Sequence, residues 1–150
     1  MHYFVFPEID TTLYEASGSG NAGLDEILEI KKTMSNSGGN IKVSRILIKF
    51  DISEISSSIV NGTISTDAKY YLNLYDAGSE GLNTSQSLWA YPVSQSWVEG
   101  QGTISDNPLT LEGASWQYRD GVAQKTFWLG TGQSAMSASG GAWHTQVYAS

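Results

Sequence analysis

The sequence predicts an all-β fold, and three observations support this prediction. Trp and Tyr are abundant, with 5 and 8 residues, and aromatic and β-branched residues favour strands. The 16 Gly residues recur with Ser, Asn and Asp in short segments that are typical of turns. Strand-length segments lie between nearly all of these turns. Many short strands with frequent turn signals indicate a β-sandwich or a β-barrel.

Length and composition predict one domain over residues 1–150. A chain of 150 residues buries enough surface to fold without covalent cross-links, and the absence of Cys excludes disulfides and thiolate metal sites. The formal net charge of -7 and the lack of a basic cluster beyond Lys31–Lys32 argue against nucleic-acid partners and anionic membranes. No apolar run approaches the ~18 residues that a membrane span requires.

The clearest strand lies at residues 44–53, with the sequence SRILIKFDIS. Apolar residues alternate with more polar ones, which is the pattern of a half-buried strand. We expect one face to pack between two sheets and the other face to be solvated. The inward face is Ile46, Ile48, Phe50 and Ile52, and the outward face is Arg45, Leu47, Lys49 and Asp51.

Three later segments alternate in the same way and are also predicted to be strands. They are KYYLNLYD at 69–76, SLWAYPVSQSW at 87–97 and GAWHTQVYAS at 141–150. The earlier segment GLDEILEIKK at 23–32 is ambiguous, since its apolar residues fit both a helix and an alternating strand. Its pattern alone favours a helix.

The order of these segments resembles the DNRLRE family, whose modules are of the disaggregatase-related and carbohydrate-binding type. The shared features are an opening Asp-Thr, a Gly-rich turn, an Arg-to-Phe-Asp strand and several aromatic motifs. In this chain they are Asp10-Thr11, SGSGNAG at 17–23, Arg45 to Phe50-Asp51-Ile52-Ser53, Ala68 to Leu74, Trp97-Val98-Glu99-Gly100, Gly113-Ala114-Ser115-Trp116 and Gly140-Gly141-Ala142-Trp143.

The resemblance implies a jelly-roll-like antiparallel β-sandwich, and it favours a strand over a helix for ILEIKKT at 27–33. It also exposes a departure from the family, because the two or three closing strands that follow the last Trp are missing from this chain. We therefore expect either that the domain closes early or that its last strands come from elsewhere. An unclosed sandwich leaves an edge strand, which is a template for pairing with another chain.

The aromatic residues divide into expected core residues and expected surface residues. Trp97, Trp116 and Trp143 occupy positions that the family uses for packing, so a structural role is expected for them. Weak glycan-binding candidates are the surface aromatics, because rings stack on the apolar faces of sugars. These candidates are Tyr71, Tyr75, Trp89 and Tyr118.

Catalytic and metal-binding signals are weak. Glu99 and Glu112 are nominal carboxylates for glycoside hydrolysis, but nothing around them distinguishes them from other loop acids. Neither His2 nor His144 lies in a nucleophile motif. Oxygen ligands are plentiful in the turns, but they lack the spacing of a calcium loop. The sequence therefore predicts a protein that is not an enzyme and has no cofactor or metal.

Two functions remain open. The first is a structural protein of a virus particle, a capsid-decorating, neck or tail component of a tailed phage, made in the host cytoplasm without a signal peptide. Its partners would be copies of itself or other virion proteins. The second is a carbohydrate-binding module of an extracellular protein. Interface candidates for the first are Trp89, Tyr91, His144, Gln146 and Tyr148.

Overall fold

The computed structural model describes most of the chain and places it in two compact units. The described residues are 3–34, 39, 41–79, 88, 90–93, 95–124 and 126–128. Unit 1 comprises residues 1–9 and 48–88, and unit 2 comprises residues 10–47 and 89–150. The single domain that the sequence predicts stays a prediction, and each unit is described by itself below.

The described part of the chain is richer in strands than in helices and contains one small antiparallel sheet. Strand β1 is Pro7–Tyr14, β2 is Lys32–Met34 and β3 is Ile41–Phe50, in the order β1-β3-β2. Strand β2 pairs antiparallel with β3, with Thr33 opposite Lys42. Two helices follow the sheet in the chain, α1 at Ile52–Val60 and α2 at Gly121–Gln124.

The hydrophobic core lies in unit 2 and includes two tryptophans. Its buried members are Leu13 of β1, Leu47 of β3, Ala114, Trp116 and Trp128, with Val43, Val93 and Trp97 packed against them. Trp128 is 1% exposed, and its indole Nε1 donates a hydrogen bond of 2.9 Å to the carbonyl of Ser115. That bond satisfies the polar atom of an otherwise apolar side chain.

The structural role expected for Trp116 and Trp97 agrees with these contacts, whereas Trp143 lies outside the described residues. Trp128 was not singled out by the sequence analysis. Its only local signal is the short aromatic run of Phe127 and Trp128, which does not distinguish a core residue from a surface one.

Strand β3 is present, but the face assigned to the core was wrong. The residue that reaches the core is Leu47, while Ile46, Ile48 and Phe50 are half-buried. Arg45 shares the face of Leu47, and its guanidinium lies 5.4 Å from the centre of the Trp116 ring. A planar cation on an aromatic ring keeps its apolar stem packed, so a charged residue is compatible with this face.

The strand also ends earlier than expected, because residues 52–60 form helix α1. Ile52 is 73% exposed rather than inward-facing. The Asp51 carboxylate caps the helix by accepting hydrogen bonds from the Ser53 backbone amide at 2.8 Å and from its hydroxyl at 2.6 Å. Gly62, at φ +72°, follows the C-terminal end. Three residues in the sequence predict such a helix: Asp51 at its start, Glu54 three residues later and Gly62 beyond its end.

Other predicted strands are absent from the described residues. The helix favoured by the pattern at 23–32 is wrong, and the strand favoured by the resemblance at 27–33 is present only from Lys32. Residues 69–76 belong to no helix or strand, and within 87–97 the described residues contain only an isolated bridge at Val93. The segment 141–150 lies outside the described residues.

Candidate functional site

Asn21 joins three separate segments of unit 2 through its side chain. It is fully buried, and its Nδ2 donates to the carbonyls of Glu99 at 2.6 Å and Ala114 at 2.8 Å. Its Oδ1 accepts from the backbone amides of Gly23 at 3.1 Å and Gly102 at 2.8 Å. A primary amide has two N–H donors and two lone pairs on oxygen, so the hydrogen-bonding capacity of this side chain is filled.

Three glycines allow the backbone to approach Asn21 closely. A Cβ built on Gly100 would lie 2.4 Å from the Asn21 Oδ1, and one on Gly113 would lie 2.7 Å from its Nδ2. A Cβ on Gly102 would lie 2.8 Å from the Asn21 carbonyl oxygen. Gly100 and Gly113 also have positive φ angles of +84° and +93°. The surroundings of Asn21 are therefore closely packed, which identifies it as a structural centre.

The nominal carboxylate Glu99 is engaged in the same region. Its Oε1 accepts a hydrogen bond of 3.0 Å from the backbone amide of Asp10. Partial burial raises the pKa of the Asp10 carboxyl, and the nearby charge of Glu99 raises that pKa further. Glu112, the other nominal carboxylate, lies in an exposed turn beside Gly121. Glu99 thus has a defined role in holding the backbone of β1.

Arg45 and Glu15 form a partly buried charged group beside the core. The Glu15 carboxylate accepts from the Val43 backbone amide at 3.1 Å and from the Lys42 ammonium at 3.3 Å. Burial lowers the pKa of Arg45, while the charges of Glu15 and Tyr91 oppose that change. Tyr91, an expected interface residue, is 43% exposed. The contact with Trp116 shows that Arg45 contributes to packing.

Among the expected glycan-binding residues, Tyr118 is in unit 2 and is held by its neighbours. Its ring lies 4.7 Å from that of Phe127, with an interplanar angle of 32°. Its backbone carbonyl accepts from the Ser115 amide at 2.7 Å, and its amide donates to the Ser115 hydroxyl at 3.2 Å. Phe127 is the partner that the sequence analysis missed. Together the two rings form a small, partly exposed aromatic pair.

Tyr71 and Tyr75 are in unit 1 and are far more exposed, at 78% and 93%. They belong to the segment 69–75, whose remaining apolar residues, Tyr70, Leu72 and Leu74, are also exposed. No described residue of unit 1 is buried. The expected glycan-binding residues are thus divided between the two units. Trp89, His144, Gln146 and Tyr148 lie outside the described residues.

Three further properties concern only the described part of the chain. A shallow depression along α1 is lined by Ser53, Ser56, Ser57, Val60 and Asn61. These side chains have no aromatic ring and no titratable group, so the depression offers no surface on which a sugar ring could stack. Within the described ranges, no three His, Cys, Asp or Glu side chains are grouped as they would be around a metal ion. No helix there has both the length and the apolar character needed to cross a membrane.

Comparison with known proteins gave no match: no family model, curated protein or solved structure is significantly similar to this chain. The resemblance described above therefore remains an expectation from the motifs, and the function must be argued from the residues.

The turn at 103–110 supports the structural centre and makes its stability depend on pH. The Asp106 carboxylate accepts from the Thr103 amide at 3.0 Å and from the hydroxyls of Thr103 and Thr110, each at 2.7 Å. The Thr110 carbonyl in turn accepts a hydrogen bond of 2.9 Å from the Asn21 backbone amide. The hydrogen bonds to the Asp106 carboxylate lower its pKa below the usual value, and the bond from the Thr103 hydroxyl has the largest effect.

A lowered folded-state pKa means that Asp106 stabilises the folded protein when the pH is above the unfolded-state pKa of ~3.9. This contribution is lost as the pH falls through the folded-state value. We expect Asp106→Asn to be less stable than the native chain at pH 7 and to lose less stability between pH 5 and pH 2. Urea denaturation at several pH values measures this difference.

The control is Asp67→Asn, since the exposed Asp67 side chain accepts no hydrogen bond from a described residue. Parallel pH profiles for native and Asp106→Asn chains would contradict the assignment.

Proposed function

We propose that this protein is a non-enzymatic structural or accessory component of a virus particle, as a capsid-decorating, neck or tail protein of a tailed phage. It acts through contacts with copies of itself and with other virion proteins, and weak adhesion to glycans is an additional activity. Its complete fold in this proposal is the jelly-roll-like antiparallel sandwich of the DNRLRE type. The motifs in their order support that assignment, and the strands of unit 2 are compatible with it.

The observation that carries the proposal is the uneven distribution of apolar surface. Among the residues that the structure describes, the buried ones all belong to unit 2, whereas unit 1 exposes Phe4, Phe6, Ile52, Val60 and the aromatic residues of 69–75. Concentrated exposed apolar and aromatic residues mark protein interaction surfaces. A protein that functions in an assembly has a use for such a surface, since neighbouring subunits cover it.

The second candidate function is a carbohydrate-binding module. Tyr71 and Tyr75 favour it, because exposed aromatic rings can stack on sugars and both side chains are largely free of packing contacts. Against it, the third described candidate, Tyr118, belongs to the other unit, where its ring packs on Phe127.

The proposal is tested by asking whether the chain enters particles. Particles released by lysis of the cells that produce the protein would be purified on a density gradient and probed with an antibody against the chain. We expect the protein to sediment with the particles. We also expect Trp89→Ala to keep the near-ultraviolet circular dichroism of the native chain but to reduce its incorporation. A chain that stays in the soluble fraction and is retarded in gels containing polysaccharide would support the carbohydrate-binding alternative instead.

A further inference from the structure

The turn that ends α1 contains the only Asn-Gly pair of the sequence, Asn61-Gly62. Both residues are exposed, and a Cβ added to Gly62 would meet no atom within 4 Å. An asparagine side-chain amide is open to attack by the backbone nitrogen of the next residue, and glycine obstructs that approach least because it has no side chain. The sequence and the exposure together place a reactive pair at the end of the helix.

We propose that Asn61 is a site of spontaneous deamidation whose rate is set by opening of the C-terminal end of α1. The Gly62 nitrogen attacks the Asn61 Cγ and forms a succinimide ring, and the side-chain nitrogen leaves as ammonia with the Gly62 amide proton. Water then opens either carbonyl of the ring, which gives aspartate or isoaspartate. The reaction consumes only water, and the chain gains one negative charge. This inference goes beyond the proposed function and does not depend on it.

Two features of the structure oppose the reaction while α1 is intact. The Gly62 amide donates a hydrogen bond of 3.0 Å to the Ile59 carbonyl, so its proton is engaged. The Asn61 backbone has a ψ of 0°, which turns the Gly62 nitrogen away from the Asn61 side chain. Closure of the ring therefore requires the last turn of α1 to open and the Asn61 backbone to rotate about ψ.

The last turn of α1 opens at low cost. The helix has 9 residues and none of them is buried, whereas isolated helices shorter than ~12–15 residues are only marginally stable in water. Backbone hydrogen bonds hold its end, from Asn61 to Ser57 at 2.9 Å and from Ile64 to Ser58 at 3.0 Å. Exposed helix ends with few apolar contacts open at free energies far below that of global unfolding. The fold thus slows the reaction without preventing it.

The product of the reaction destabilises the helix that carries it. A carboxylate at position 61 lies at the C-terminal end of α1, where the helix dipole is negative, and the last turn has no basic residue to offset it. Isoaspartate also adds a carbon to the backbone, which disturbs the hydrogen bond from Gly62 to Ile59. Asn61 lines the depression along α1, so deamidation also introduces a charge into a surface that has no titratable side chain.

Mass spectrometry of the aged protein tests the site. The intact chain is incubated for increasing times and digested at mildly acidic pH, which limits conversion during handling, and each Asn-containing peptide is quantified. The matched control within the chain is Asn73, which is also exposed but is followed by Leu. We expect Asn61 to convert several-fold faster than Asn73. No conversion at Asn61, or equal conversion at the two positions, overturns the proposal.

A comparison of folded and unfolded protein tests the role of α1. Guanidinium chloride at a concentration that unfolds the chain frees the Gly62 amide from the Ile59 carbonyl. We expect Asn61 to convert several-fold faster there than in native buffer at the same pH. Asn73, which belongs to no helix or strand, should change little. An unchanged rate at Asn61 would contradict the dependence on opening of α1.

The variant Asn61→Asp reproduces the aspartate product and tests its effect on the helix. Hydrogen exchange measures the opening of the backbone amides in the last turn of α1. We expect these amides to exchange faster than in the native chain at neutral pH, and the difference to decrease in high salt, which screens the interaction with the helix dipole. The control Asn73→Asp makes the same change of charge outside the helix and should leave this exchange unchanged. Identical exchange in Asn61→Asp and the native chain would overturn the effect on α1.

Discussion

Replacing Gly113 with alanine is expected to destabilise unit 2 by more than ~3 kcal/mol. Gly113 has a φ of +93°, a region that costs a residue with a side chain about 1–2 kcal/mol. Its added Cβ would also lie 2.4 Å from the Cα of Gly100. That atom belongs to the backbone, so relief requires moving the chain segment that Asn21 holds. Urea denaturation followed by tryptophan fluorescence measures the loss, because Trp116 and Trp128 belong to the same unit.

The matched control is Gly18→Ala, in the same unit. Gly18 has a φ of +64°, but the nearest atom to its added Cβ is the Nε2 of Gln117 at 3.4 Å. This variant carries the backbone strain without a backbone collision, so we expect a loss of about 1 kcal/mol. Equal losses of stability in the two variants would show that close packing does not explain the glycine at position 113.

Replacing Asn21 with alanine is expected to cost at least ~4 kcal/mol. The substitution removes four hydrogen bonds and leaves the carbonyls of Glu99 and Ala114 and the amides of Gly23 and Gly102 without their partner. An unsatisfied buried polar group costs ~1–3 kcal/mol. The same denaturation experiment measures the loss, and Asn73→Ala, at an exposed position, should change stability by less than ~0.5 kcal/mol.

Asn21→Asp separates the loss of hydrogen bonds from the loss of volume. A carboxylate has nearly the shape of the amide, but it cannot donate to the two carbonyls that Nδ2 contacts. Burial beside those carbonyl oxygens raises the folded-state pKa of the new carboxyl. The variant should therefore gain stability relative to the native chain as the pH falls through that raised value. A constant stability difference between pH 7 and pH 4 would show that the site accommodates the charge, and so would contradict a closely packed Asn21.

Sequence patterns predict local features of this protein and miss those that depend on distant contacts. Alternation identified β3, but its apolar face was assigned from hydrophobicity alone. Leu47 is buried because the opposite face meets Trp116, and Arg45 is accepted there because its guanidinium lies on that ring. The alternation itself gives no information about which face meets the aromatic residues.

Helix α1 illustrates a different error. The alternation of β3 was extended through Ile52, although Asp51, Glu54 and Gly62 carry the capping signals of a short helix. Those signals were readable from the sequence. For 69–75 the strand pattern is present without a strand among the described residues, since alternation predicts how a segment would pair but cannot supply its partner.

Only part of the structural centre around Asn21 could be predicted from the sequence. The segments SGSGNAG, Trp97 to Gly100 and Gly113 to Trp116 were all noted as motifs, and their glycines indicated turns. Their convergence on the side chain of Asn21 could not be read from one sequence, because an Asn in a Gly-rich segment is ordinarily a turn residue. Its partners Glu99 and Ala114 are 78 and 93 positions away in the chain.

These separations have a consequence for how the protein is made. A ribosome adds ~5–20 residues per second, so the 93 positions between Asn21 and Ala114 correspond to roughly 5–20 s of synthesis. Until Glu99 and Gly102 are made, the Asn21 side chain has none of its distant partners, and the closure of such long loops makes subsequent folding slow. Unit 2 therefore completes its core only after translation has passed residue 128.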